Sequence, residues 1–166
     1  PGSGKTTLLR RIYEELKDNV KIRGFFTGEI REKGERLGFF IENFEGKRKT
    51  FAYKGLDSAF KVSKYGVDIN SLLEIGIPEI IKALEENSLL MIDEIGKMEL
   101  LLRDFQELVR KAFDSGINII ATISISPHPF IKEIKKREDV KIFGINENKR
   151  DYLYKKIKEI CERELK

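Results

Sequence analysis

The sequence predicts an α/β domain whose mainly parallel sheet lies between helices, with an antiparallel meander at one edge. Three observations predict it. Helical apolar patterns alternate with short, wholly apolar runs, as buried parallel strands and their crossover helices do. Polar–apolar alternation recurs in three neighbouring segments separated by Gly-containing turns, which marks hairpins. A Gly-Lys-Thr sequence stands directly before the first helical pattern, the arrangement of a phosphate-binding loop. The length of 166 residues fits a single domain, 1–166, able to bury a core.

Residues 6–16 read as a helix because Leu8, Leu9, Ile12, Tyr13 and Leu16 recur at helical spacing. A strand is predicted over 20–27. Segments 25–30 and 37–44 alternate on either side of Gly34-Glu35, and 49–53 follows Glu45-Gly46, completing the meander. Residues 54–69 carry no period and are expected to be irregular. The helical pattern of 71–85 contains Gly76 and Pro78, which predict a kink or two short helices. Leu89, Leu90, Met91 and Ile92 form a buried-strand run that ends at Asp93-Glu94. An amphipathic helix over 100–113 is closed by Ser115-Gly116. A second buried strand spans 117–125, a short helix 130–136 and a short strand 140–143. Asn148 is placed to cap a last helix, with Asp151 three residues on. Because the chain opens at Pro1 inside a motif and without an initiator Met, it is expected to be an N-terminally truncated fragment lacking its first strand.

A hydrophobic fraction of 40% and an aromatic fraction of 10% are globular rather than disordered values. The net charge of +4 comes from 32 basic and 28 acidic residues, a small surplus that suits a polyphosphate ligand. Basic clusters such as Lys47, Arg48, Lys49 and Lys132, Lys135, Lys136, Arg137 are interrupted or flanked by acids and read as solvated faces. A single cysteine, Cys161, excludes an intramolecular disulfide and a Cys-based zinc site. No apolar run approaches the ~20 residues that span a membrane, and no leader pattern is visible; the expected compartment is the cytoplasm. The 36% charged content, rich in Lys, Glu and Ile, points weakly to a thermophile.

Pro1-Gly2-Ser3-Gly4-Lys5-Thr6-Thr7 matches the last part of the Gly-x-x-x-x-Gly-Lys-Ser/Thr loop. Glycines let consecutive backbone N–H groups curl round a phosphate at a helix N-terminus. Lys5 brings a point charge to the β- and γ-phosphates, Thr6 a hydroxyl to Mg²⁺, and Thr7 a contact near the α-phosphate. A flexible Gly-Ser terminus is the plain alternative, but it would not supply Lys-Thr followed at once by a periodic helix. Asp93 ends an apolar strand, where a Mg²⁺-anchoring carboxylate belongs. Glu94, directly after it, is placed to orient and deprotonate a water in line with the γ-phosphate; a loop acid or salt bridge is the alternative.

Weaker candidates complete the set. Thr122, Ser124 and Ser126 share one face of the 117–125 strand, and Thr122 is chosen as a γ-phosphate sensor, with packing an equal alternative. Lys97 and Glu99 fall in a loop near the expected nucleotide. Arg137 and Arg150 are candidate charge stabilisers, although each is more often an ordinary surface arginine. His128, between two prolines, has a turn-stabilising role as its alternative.

Asp93-Glu94-Ile95-Gly96-Lys97-Met98-Glu99-Leu100 resembles the hallmark of the small P-loop nucleoside-triphosphatases of thermophilic bacteria and archaea, a family with a human member, the cancer-related nucleoside-triphosphatase. Gly24-Phe25-Phe26-Thr27-Gly28-Glu29-Ile30-Arg31, Arg36-Leu37-Gly38-Phe39, Lys64-Tyr65-Gly66-Val67, Ala121-Thr122-Ile123 and Lys149-Arg150-Asp151 are similar to that family's segments, so the resemblance spans nearly the whole chain. It implies a RecA-like P-loop fold and Mg²⁺-dependent hydrolysis of ATP, GTP, CTP and UTP to diphosphate and phosphate. It also implies that Gly2, Gly4, Lys5 and Thr6 bind phosphate and metal, that Asp93 holds Mg²⁺ and that Glu94 is the base. Gly28 departs from the family's pattern, which has an acidic residue there.

Two further function classes are weighed. A phosphotransferase would use the same loop and metal, with an acceptor pocket built from the meander and residues 54–69; the Arg-rich lid usual for it is lacking, only Arg31 and Arg36 being present. A nucleotide-gated nucleic-acid-binding module would use the basic surplus, but no aromatic residues interleave a dense basic stripe. Nucleic acid is therefore not favoured as a partner. A monomer or weak oligomer without membrane attachment is expected. Asn146-Glu147-Asn148-Lys149 does not match a guanine reader, so broad base acceptance is expected.

Overall fold

A computed structural model describes residues 4–165. Helix α1 (Lys5–Leu16) starts after Gly4 and buries Leu8, Leu9, Ile12 and Leu16 along one stripe. Strands β1 (Ile22–Glu32), β2 (Glu35–Asn43) and β3 (Arg48–Lys54) follow as antiparallel neighbours. The β1–β2 turn holds both Lys33 and Gly34 at positive φ, 52° and 79°, the backbone that matches the twist of a tight hairpin. Residues 54–69 are more ordered than their pattern suggests, for they contain β4 (Lys61–Val62) and β5 (Tyr65–Val67). Strands this short are too brief to show a period.

The bend expected near Gly76 takes the form of a wide π turn, Leu72–Gly76, between α2 (Ile69–Ser71) and α3 (Ile77–Glu86). Pro78 sits in the first turn of α3, where a missing N–H costs nothing. Next come β6 (Leu89–Ile95), a 3-10 turn (Glu99–Leu101), α4 (Arg103–Ser115), β7 (Ile119–Ile123) and α5 (Pro129–Lys135). Gly116 ends α4 at φ 85°, the left-handed cap that glycine supplies. A 3-10 turn (Glu147–Lys149) leads into α6 (Arg150–Glu164). Two expectations change here. Residues 140–143 form no strand, because they pair with none and β7 is the last strand of the sheet. The side chain that caps the entry to α6 is Asn146, which accepts from the Lys149 amide at 3.1 Å, rather than Asn148.

Among the described residues the sheet has seven strands in the order β4-β5-β3-β2-β1-β6-β7. It is mixed: β1, β6 and β7 run parallel, and β2 to β5 extend it as an antiparallel wing. One core, with Phe25, Ile41, Leu90, Ile92, Ile80 and Phe105, lies under α3 and α4. The other, with Leu9, Ile12, Phe26, Met91, Leu153 and Tyr154, lies under α1 and α6. Phe25/Phe26 and Leu90/Met91 fall in different cores because successive side chains of a strand point to opposite faces. At Gly24, φ is 147° and a β-carbon would stand 1.8 Å from the Met91 carbonyl oxygen; only glycine lets β1 approach β6 there.

Candidate active site

The tip of β6 carries the site. Asp93 is 1% exposed and is paired across the sheet with Thr122 of β7. Its Oδ1 accepts from the Thr122 hydroxyl at 2.9 Å and from the Thr6 hydroxyl at 3.2 Å. Its Oδ2 accepts from the Thr27 amide at 3.2 Å and from the Thr27 hydroxyl at 3.5 Å. Three elements, α1, β1 and β7, thus converge on one carboxylate. Burial pushes the Asp93 carboxyl up from its ordinary value, while the bonds from Thr122, Thr27 and Thr6 and the charge of Arg10 pull it down. Desolvation wins, so the anion lacks a matching positive charge.

A divalent cation fits that electrostatic demand. No cluster of three His, Cys, Asp or Glu side chains among the described residues forms a protein-only metal cage. Mg²⁺ does not require one, since it commonly takes one or two protein oxygens and completes its shell with substrate phosphates and water. The Thr6 hydroxyl and the Asp93 carboxylate bring two oxygens of that kind together at 3.2 Å.

Glu94 follows in an unusual backbone conformation. Its φ is 146°, and the β6–β7 register shifts between Asp93 and Ile95. The bulge takes Glu94 out of the ladder and turns its side chain into the adjoining cleft. A non-glycine residue held there stores on the order of 1–3 kcal/mol of strain. Gly96 accommodates the result: a β-carbon at 96 would stand 2.8 Å from Glu94 Oε1.

The cleft measures about 550 Å³. Gly4, Lys5, Thr6 and Thr7 at the start of α1 line it together with Glu94, Lys97, Glu99 and Ser124. Gly4 has φ 85° and the first turn of α1 contains no acidic residue, so no acid of that turn offsets its free backbone N–H groups and positive dipole end. Glu99 is 4% exposed, and burial, reinforced by the charges of Glu94 and Asp93, holds its carboxyl well above the ordinary range.

The residues predicted from sequence divide clearly. Gly4, Lys5, Thr6, Thr7, Asp93, Glu94, Lys97, Glu99 and Arg150 come together around the cleft. Thr122 joins them through its bond to Asp93. Pro1, Gly2 and Ser3 lie outside the described residues. Arg137 does not take part: it is engaged by Asp114 at 2.7 Å and Asp139 at 2.9 Å beside α4. His128 caps α5, its Nδ1 accepting from the Phe130 amide at 3.1 Å. Sequence reasoning missed Thr27 as a support for Asp93; its only signal is a polar residue following Phe25-Phe26 in a buried strand. It also missed the individual apolar side chains Phe39, Phe51, Val62 and Met98 that line the cleft.

Comparison with known proteins gives a consistent result. A family model described as NTPase matches residues 1–158. The nucleoside-triphosphatase THEP1 of Thermotoga sp. (strain RQ2) is 45% identical over 157 residues, covering 95% of this chain and 88% of that protein. The crystal structure of THEP1 from Aquifex aeolicus superposes with a TM-score of 0.86 at 37% identity, covering 95% of this chain and 92% of that one. The solution structure of a human cancer-related nucleoside triphosphatase gives a TM-score of 0.83 at 32% identity, with coverage of 99% and 94%.

Proposed function

The chain belongs to this family of P-loop nucleoside-triphosphatases, and from that premise we propose that it is a Mg²⁺-dependent enzyme hydrolysing nucleoside triphosphates with little regard to the base. One observation carries the reading: the Thr6 hydroxyl meets Asp93 Oδ1 at 3.2 Å, with Glu94 next along the strand lining the same cleft as Lys5.

Thr6 and Asp93 would hold the metal, which would supply charge neutralisation to the phosphate tail. Lys5 and the amides at the start of α1 hold the phosphate tail. Thr27 and Thr122 keep Asp93 oriented. Glu94 accepts a proton from the attacking water; the water oxygen bonds to the γ-phosphorus as the bond to the bridging β–γ oxygen breaks, leaving diphosphate and phosphate. Glu94 is half-buried, so it keeps access to the water it must order. Broad base acceptance is supported by the lining, in which no Asn-Lys-x-Asp guanine reader takes part.

The test measures phosphate release from ATP, GTP, CTP and UTP by the full-length protein and by Lys5→Ala and Glu94→Gln. Rates within about an order of magnitude across the bases, lost by ~10²-fold or more in Glu94→Gln, are the expected outcome. Normal hydrolysis by Glu94→Gln would remove Glu94 as the base, and strict selectivity for one base would refute broad acceptance.

A second reading is favoured by one feature. Phe39, Phe51, Val62 and Met98 give the cleft an apolar lining beside Glu94, more than a water molecule requires. A phosphotransferase would seat the body of a hydroxyl acceptor there. Release of diphosphate in excess over inorganic phosphate when hydroxyl compounds are added would favour transfer; a ratio of one throughout leaves hydrolysis alone.

A further inference from the structure

Arg150 stands at the phosphate loop with an unsatisfied donor. Its Nε is buried and has no hydrogen-bond partner among the described residues. The guanidinium packs on the α-carbon of Gly4, where a β-carbon would stand 2.5 Å from Nε and 2.6 Å from one terminal nitrogen. Gly4 is therefore required twice, by its φ of 85° and by the group stacked on it. Arg150 lines the same cleft as Lys5, Thr6 and Glu94.

Among the described residues no acceptor explains this placement. A guanidinium cannot shed its charge, and a buried charged donor without an acceptor costs free energy. Arg150 is also the first residue of α6, the end at which the helix dipole disfavours a cation. The neighbouring carboxylate, Asp151, is held by Arg11 at 2.7 Å. Arg137, by contrast, has two carboxylates to itself. The position is rigidly kept, because Arg11 lies 3.7 Å over the Tyr154 ring and Lys158 meets Glu15 at 2.9 Å, bracing α6 on the helix that the phosphate loop begins. A planar, forked cation aimed at a cleft whose other walls bind phosphate has one fitting acceptor class, the oxygens of a polyphosphate.

We propose that Arg150 contacts the substrate, donating from within the same chain to the phosphate tail of the bound nucleoside triphosphate and stabilising charge that grows as the β–γ bond breaks. This rests on the hydrolase reading above and adds a fourth positive element, beside Lys5, the loop amides and the metal.

Arg150→Met and Arg150→Lys are compared with Lys5→Ala and Glu94→Gln in three assays: kcat/KM, the thermal midpoint without nucleotide, and its rise with a Mg-bound non-hydrolysable ATP analogue. Arg150→Met is expected to lose about 10²-fold in kcat/KM, and Arg150→Lys less. Its midpoint without nucleotide stays level or rises, since an unpaired donor is gone, while the analogue-induced rise shrinks. Wild-type kcat/KM together with a wild-type analogue-induced rise would overturn the proposal, and so would a lowered nucleotide-free midpoint with undiminished activity. Inactive Lys5→Ala and Glu94→Gln proteins in that same experiment would leave the hydrolase reading standing. Active ones would sink that reading instead. Specific activity independent of protein concentration is expected, and a rise with concentration would overturn the same-chain assignment.

Discussion

The carboxyl of Glu94 lies against the α-carbon of Gly96, so closely that a β-carbon at 96 would stand 2.8 Å from Oε1. Gly96→Ala must push Glu94 aside. Displacement of a positioned group by about 1 Å can cost ~10²-fold, so this variant is expected to lose kcat by 10- to 100-fold while binding the non-hydrolysable analogue normally. Steady-state kinetics with a binding titration check it.

Glu94 itself is held at φ 146°. Glu94→Gly removes roughly 1–3 kcal/mol of backbone strain and adds about 0.5–1 kcal/mol of unfolded-state entropy. The expected variant is inactive yet more stable by about 1 kcal/mol in urea unfolding. A destabilised Glu94→Gly protein would mean that the conformation is not strained.

Thr122 donates to Asp93 at 2.9 Å from a buried position. Thr122→Val leaves the shape and removes the donor, raising the Asp93 carboxyl further and weakening its hold on a cation. Loss of a supporting bond of this kind typically costs 10- to 100-fold in metal affinity. The Mg²⁺ concentration for half-maximal hydrolysis should rise accordingly, and Thr122→Ser should restore it.

Glu99 is buried with its carboxyl held well above the ordinary 4.5. The folded state therefore prefers the protonated form. Its contribution to stability is complete below the unfolded value and is lost as pH rises through the folded one. Glu99→Gln keeps the neutral shape at every pH, so its advantage in thermal midpoint over wild type should grow from pH 5 to pH 8 and vanish below about 4.

Glu86 behaves in the opposite sense. Arg23 donates to it through two nitrogens at 2.8 and 2.7 Å and, with Lys21 and Ser88, holds its carboxyl down at about 2. The stabilisation is present above the ordinary 4.5 and is lost as pH falls towards 2. Arg23→Gln should lower the unfolding midpoint at pH 7 and match wild type near pH 2; an equal difference at both values would exclude this ion pair as the cause.

The parallel end of the sheet was legible because its signals are local. Apolar runs such as Leu89 to Ile92 mark buried strands, and an acid at the end of one marks a ligand-facing tip. Gly-Lys-Thr before an apolar-periodic run marks the start of a helix, and α1 begins at Lys5. What stayed hidden depends on register and distance. Thr27 reaches Asp93 only because Phe25 pairs with Ile92 in the parallel ladder. Arg137 and Arg150 look alike in sequence; one finds two acids in the fold and the other finds none among the described residues. The strands β4 and β5 are too short to carry a period. Residues 140–143 have a strand's composition but no partner strand, and composition alone cannot supply one.

The wide turn at Leu72–Gly76 restricts how relatives of this chain can vary in length. It inserts one residue per turn beyond the α-helical repeat, and Gly76 is wedged among Leu72, Phe25 and Ile41, the nearest of them 2.8 Å from a would-be β-carbon. Deleting a single residue there would rotate every later side chain of α3 by about 100°, swinging Ile80 and Ala83 away from the sheet. Insertions and deletions are tolerable instead at the tips bearing Gly34, Gly46 and Gly55, where a β-carbon would meet nothing within 4 Å. Natural length variation should collect at those three tips and spare the segment from Ile69 to Glu86.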